Sequence, residues 1–153
     1  MMDLNAYPLD SVNPEEKLAR IVLSPKDIDP ITNYPKDSFI SLRKEERGVS
    51  FLRLDMMGRA GFVKSGLDRE SFYNKNQKKK HFSFVGWMEG FAKDIKCLAP
   101  EMICFEINDS ENNPEHVNVT FRKDGDVVKG IVTDAEVLDI MDELFHLLKY
   151  VTL

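Results

Sequence analysis

The C-terminal stretch of this 153-residue chain constrains its fold more than any other part. Val137, Ile140, Met141, Leu144, Leu148 and Val151 recur at intervals of three and four, which places them on one face of a helix. Thr133 and Glu136 stand just ahead of that stripe in the T-x-x-E pattern of a capping box. Burying the stripe contributes on the order of 10 kcal/mol before conformational entropy is subtracted. Such a helix needs a second layer to lie on.

The rest of the chain supplies strands for that layer. Val117, Val119 and Phe121 alternate with polar residues, and Asp124-Gly125 is a hairpin turn signal that predicts a return strand over 126–132. Residues 17–23 and 102–107 are short apolar runs of strand length. Residues 38–42 and 49–54 alternate on either side of a charged turn and predict a hairpin, with Phe39 and Phe51 on its buried face. Ser24-Pro25 reads as a helix cap opening a single turn. Met88, Phe91, Ala92 and Ile95 predict a second helix over 84–98, which Pro100 stops. Gly58, Gly61 and Gly66 argue against one long helix over 55–80 and leave a short one over Leu67–Tyr73. Strands and helices are segregated rather than alternating. The expectation is an N-terminal tail over 1–14 and a single α+β domain over 15–153, with a mainly antiparallel sheet packed against the C-terminal helix and a second central helix.

Composition narrows the functional classes. A chain of this length buries roughly 70% of its unfolded surface and needs no disulfide staple. The net charge of −5 disfavours nucleic acid, whose binders carry a basic footprint. No apolar run approaches the roughly 20 residues of a membrane span, and the N-terminus lacks a leader pattern, so a cytoplasmic protein is expected. Cys97 and Cys104 match no zinc or redox spacing and read as reduced, buried residues.

Candidate chemistry gathers around the polar segment 108–116, which ends in His116 where a strand begins. A histidine there can serve as a general base, oriented by Asp109, Glu111 or Glu115. The same residues also read as a polar turn set by Asn113-Pro114, with His116 anchoring it by hydrogen bonds. Arg43, Arg53 and Arg59 lie near Glu45 and Glu46 and read either as an anion site or as a solvated charge network. His81 is distant in sequence, and His146 lies off the apolar stripe and reads as a surface residue. The run Lys75, Lys78, Lys79, Lys80, flanked by Phe72, Tyr73 and Phe82, has the composition of a single-strand nucleic-acid contact and also that of an exposed loop. Nucleophile-elbow, phosphate-loop and dinucleotide motifs are missing, and neither a metal nor a cofactor is implied.

Two stretches carry a resemblance. The first runs from Arg20 through Ser24-Pro25-Lys26-Asp27-Ile28-Asp29-Pro30 to Ser38-Phe39 and Gly48-Val49-Ser50; the second is Gly90-Phe91-Ala92 and then Asn113-Pro114-Glu115-His116-Val117. The pattern resembles a loose group of small, uncharacterised bacterial proteins with an early arginine, a polar turn, a phenylalanine before a V-S strand and a late N-P-x-H. The resemblance implies a bacterial accessory protein and no particular activity. It directs attention to Arg20, Phe39, Ser50, Asn113 and His116 as a shared surface or structural lock. From sequence, three functions are thus expected in order. The first is a non-enzymatic interaction or accessory module with a protein partner or a homo-oligomer. The second is an enzyme or small-ligand binder using His116 and Arg20 or Glu115, with Asp109, Asn113, Arg43 or Arg53 as ligand contacts. The third is single-strand contact through Lys78, Lys79 and Lys80.

Overall fold

The computed structural model describes residues 12–42, 46–76, 79–107 and 114–153. The chain order is β1 (Lys17–Ser24), β2 (Ile28–Asp29), β3 (Tyr34–Pro35), a 3-10 turn (Asp37–Phe39), β4 (Gly48–Arg53), α1 (Leu54–Asn76), β5 (Ser83–Phe91), α2 (Ala92–Leu98), β6 (Ile103–Ile107), β7 (His116–Lys123), β8 (Asp126–Val127), α3 (Ala135–Leu147) and β9 (Lys149–Thr152). The main sheet runs β6-β7-β4-β1-β5-β9, with β8 paired to β7. Its paired neighbours are antiparallel throughout. The protein is therefore α+β, as its patterning predicts. No helix among the described residues is long and apolar enough to cross a membrane.

Side-chain alternation gives the sheet two faces. Leu18, Val22, Val49, Phe51, Met88, Ile103, Phe105, Val117, Val119 and Phe121 form one, buried beneath Ala92 and Ile95 of α2 and Val137, Ile140, Met141 and Leu144 of α3. Ala19, Ile21, Leu23, Phe84 and Trp87 form part of the other and pack on Phe62 of α1. The Phe62 and Trp87 rings meet edge to face at 5.2 Å.

Several local expectations are corrected. The helix expected over 84–98 is strand up to Phe91 and helix only from Ala92. Met88, Ala92 and Ile95 are buried but Phe91 of the same stripe is exposed, so the helical spacing there spans a strand-to-helix junction. Residues Lys17 to Ser24 pair with Ser83 to Phe91 along their length, and this pairing overrides the local period. The first amides of α2, on Ala92 and Lys93, donate to the carbonyls of Glu16 and Pro14.

Residues 38–42 form no strand; the chain makes a 3-10 turn there and buries Phe39. Ser24-Pro25 opens no helix: the bond is cis and ends β1. Asp27 closes that turn by accepting from the Leu23 amide at 2.9 Å. Glycine breaks α1 only at Gly58, where φ is 73°. The helix continues through Gly66, where a side chain would collide with the Phe84 ring, so the glycine there serves close packing on β5. The cap of α3 is Asp134, which accepts from Val137 N at 3.1 Å, not Thr133. That bond, together with the Lys123 ammonium beside it, holds the Asp134 carboxyl below its ordinary value. The return strand expected over 126–132 is limited to Asp126–Val127. Val151 leaves the helical stripe for β9 and packs toward Trp87. Both cysteines are free, but neither is buried as expected: Cys97 is exposed and Cys104 half-buried.

Candidate functional site

The site arises where the sheet splits. β1 and β4 pair at Leu18–Arg53 and Ala19–Leu52. Beyond that point β1 continues along β5, and β4 along β7. Arg53 donates its amide to the Glu115 carbonyl at 2.8 Å. Antiparallel alternation then turns the backbone groups of Ser50 and Leu52 the other way, toward β1. At Ser50 no β1 pairing is present among the described residues, and the Arg20 side chain takes its place. Arg20 Nη1 donates to the Ser50 carbonyl at 2.9 Å and Nε to the Phe39 carbonyl at 3.3 Å. The guanidinium also lies 4.9 Å from the centre of the Phe39 ring.

The register brings a second group to Ser50. Ser50 pairs with Asn118 and Leu52 with His116, so Ser50 and His116 are diagonal neighbours on one face. The Ser50 hydroxyl and His116 Nε2 are directly hydrogen-bonded. The network thus runs from Phe39 through Arg20 and Ser50 to His116. Four of the five residues carrying the family-like pattern meet in it, although the sequence separates them by up to 96 positions (116 − 20).

A groove of about 330 Å³ opens beside this network. Its walls include Arg20, Lys26, Glu46, Ser50, Arg69 and Tyr73. Its inner end is a narrow lobe of about 40 Å³, lined by many of the same residues together with Ala19, Ile21, Leu23 and Leu52. Lys26 pairs with Asp27 at 3.2 Å and lies 5.6 Å from the centre of the Tyr73 ring. Arg69 reaches in from α1 and takes part in none of the ion pairs among the described residues. The groove therefore gathers three cationic side chains, Arg20, Lys26 and Arg69, against two acids, Asp27 and Glu46. This is a local positive excess on a chain of net charge −5.

The other sequence candidates lie elsewhere. Arg53 forms a bidentate pair with Glu16, Nε–Oε1 at 2.6 Å and Nη2–Oε2 at 3.0 Å, with side chains only 10% and 8% exposed. Its guanidinium is thereby engaged in joining the N-terminal segment to β4. Glu115 contributes its carbonyl to Arg53 and is half-buried. Lys79 and Lys80 are exposed beyond α1. Arg59 stacks 5.1 Å from the Trp87 ring centre. His146 is exposed on α3. Asp109, Glu111, Asn113, Arg43, Glu45 and Lys78 lie outside the described residues. Among the described residues no group of histidines, cysteines and acids is arranged to hold a metal ion.

The patterning gave no reason to group Lys26, Asp27, Arg69 and Tyr73. One signal was present: Arg69 and Tyr73 are four apart and so share a helix face. Together the fold and site define an α+β domain with one large antiparallel sheet, a small β2-β3 sheet and a cationic groove at the split between two central strands. No protein-family model, no curated protein and no solved structure matches the chain.

Proposed function

We propose that this domain binds a small anionic ligand, of the phosphate-bearing class, in the groove between β1, β4 and α1. The observation that carries the reading is the convergence of Arg20, Lys26 and Arg69, from β1, the turn that follows it and α1, on one concave space. Arg20 is held in place by two backbone carbonyls, so little of its side-chain entropy is left to lose on binding. Ser38, Ser41 and Ser50 add hydroxyls to the same walls, and Tyr73 offers an aromatic surface. A few placed polar groups in a concave site are the usual make-up of a small-ligand pocket.

Calorimetric titration with inorganic phosphate, pyrophosphate and a sugar phosphate tests the reading, with citrate as the non-phosphate comparator. Phosphate compounds are expected to bind, more weakly as salt rises, and at least tenfold more weakly to Arg69→Ala. Absence of heat with every phosphate compound at millimolar concentration, or equal binding by Arg69→Ala, overturns it. The bacterial, cytoplasmic accessory role belongs to this proposal as its setting, and fractionation of the native cell tests the location. The interaction-module and single-strand readings have less support, since neither has a comparably organised set of side chains among the described residues.

A further inference from the structure

Resting on that reading, we infer that Ser50 is a nucleophile, activated by His116, that takes a phosphoryl group from a phosphate monoester bound in the groove. Three features support this. A serine hydroxyl is a weak nucleophile until a base accepts its proton, and His116 Nε2 is hydrogen-bonded directly to it. The hydroxyl sits on a strand fixed on both sides, by the β7 ladder and by Arg20 on its own carbonyl, which gives the positional precision that covalent chemistry needs. The groove that Ser50 lines also holds Arg20, Lys26 and Arg69, the charges that stabilise the equatorial oxygens of a transferring phosphoryl group.

The step balances without a redox partner. Ser50 Oγ attacks phosphorus as its proton passes to His116 Nε2. The bond from phosphorus to the ester oxygen breaks, and the departing alcohol takes that proton from the imidazolium. Water then attacks phosphoserine 50, His116 accepts its proton and returns it to Ser50 Oγ, and inorganic phosphate leaves.

The test is incubation of the full chain with p-nitrophenyl phosphate, following nitrophenol release and mapping any phosphoryl adduct by mass spectrometry after parallel acid and alkaline quenches, since phosphoserine survives the first and phosphohistidine the second. The expected result is an adduct on Ser50. Ser50→Ala should remove the adduct and lower turnover by at least about a hundredfold, and His116→Gln should do the same to turnover. Both variants should keep the circular-dichroism spectrum and thermal transition of a folded domain. As a second route to the same question, Ser50→Cys should form a phosphoryl-cysteine adduct. Phosphate binding without adduct or turnover in the wild-type chain overturns the nucleophile and leaves the binding site standing. An adduct on His116, or turnover unchanged in Ser50→Ala, also overturns it. Failure of phosphate to bind removes both readings together.

Discussion

The two faces of the sheet are built from the same strands and differ in how completely they are covered. One face is closed by α2 and α3 and is apolar along β5, β6 and β7 and, apart from Arg20 and Arg53, along β1 and β4. The other is apolar mainly where α1 packs on β1 and β5, and along β4 and β7 it presents Ser50, His116 and Asn118 instead. Neighbouring residues of one strand therefore do different work: Phe51 fills the core, and Ser50 one position earlier lines the groove. The contrast shows how a small domain makes room for chemistry. A full second layer would require apolar residues at these positions, and an incomplete one leaves polar side chains facing a concavity on a rigid floor.

The contrast can be broken or sharpened by mutation, beginning with Phe51 and Ser50. Phe51→Ala is expected to cost about 3–5 kcal/mol in denaturant unfolding, whereas Ser50→Ala should cost only about 0.5–1.5 kcal/mol. Similar losses at the two sites would mean that the polar face is structural in the same sense as the core.

Arg53 tests the seam where β1 and β4 still pair. Arg53→Leu leaves Glu16 as a buried carboxylate without its partner, and a loss of about 3–5 kcal/mol is expected from urea titration. Much of it should return when Glu16→Leu is added.

Gly66 tests the covered half of the second face. Helix propensity alone favours Gly66→Ala by about 1 kcal/mol, but the collision with the Phe84 ring should reverse the sign and cost about 1–3 kcal/mol. A higher melting temperature would mean that α1 packs more loosely than described.

The smallest effect is expected at Asp134, on the closed face's helix. Its folded-state pKa is lowered, chiefly by the Val137 amide and then by Lys123, so its stabilisation is present above the ordinary carboxylate pKa. That stabilisation should fade as pH falls through the lowered value. Asp134→Asn should flatten this part of the acid-unfolding profile, and an unchanged profile would exclude the cap as its source.

Much of the closed face was legible in the sequence. Val137, Ile140, Met141 and Leu144 are all buried, and Val117, Val119 and Phe121 line one face of β7. Periodicity reports burial directly, because an amphipathic element must hide one side. The same rule misled at 84–98, where Met88, Ala92 and Ile95 are buried from a strand and a helix in succession. There periodicity picked out three core residues but also the exposed Phe91, and it did not report which element turns each one inward.

The groove was legible only in part. Arg20, Phe39, Ser50 and His116 could be singled out as residues, but nothing in their spacing said that they touch. Arg53 attracted attention as a ligand contact, and its partner Glu16, 37 positions away, decides otherwise. Taken alone, the sequence determined the class of fold, the closed core and the supply of polar residues on β4 and β7, since these follow from short-range patterns of burial. Tertiary structure alone decided that β1 and β4 part after two residue pairs and that Arg20 occupies the gap. It also decided that Lys26 and Arg69 share one groove with Ser50, which His116 reaches only through its hydrogen bond to the serine. Strand register and helix placement are set by contacts between distant segments, whose free energies no local pattern of residues records.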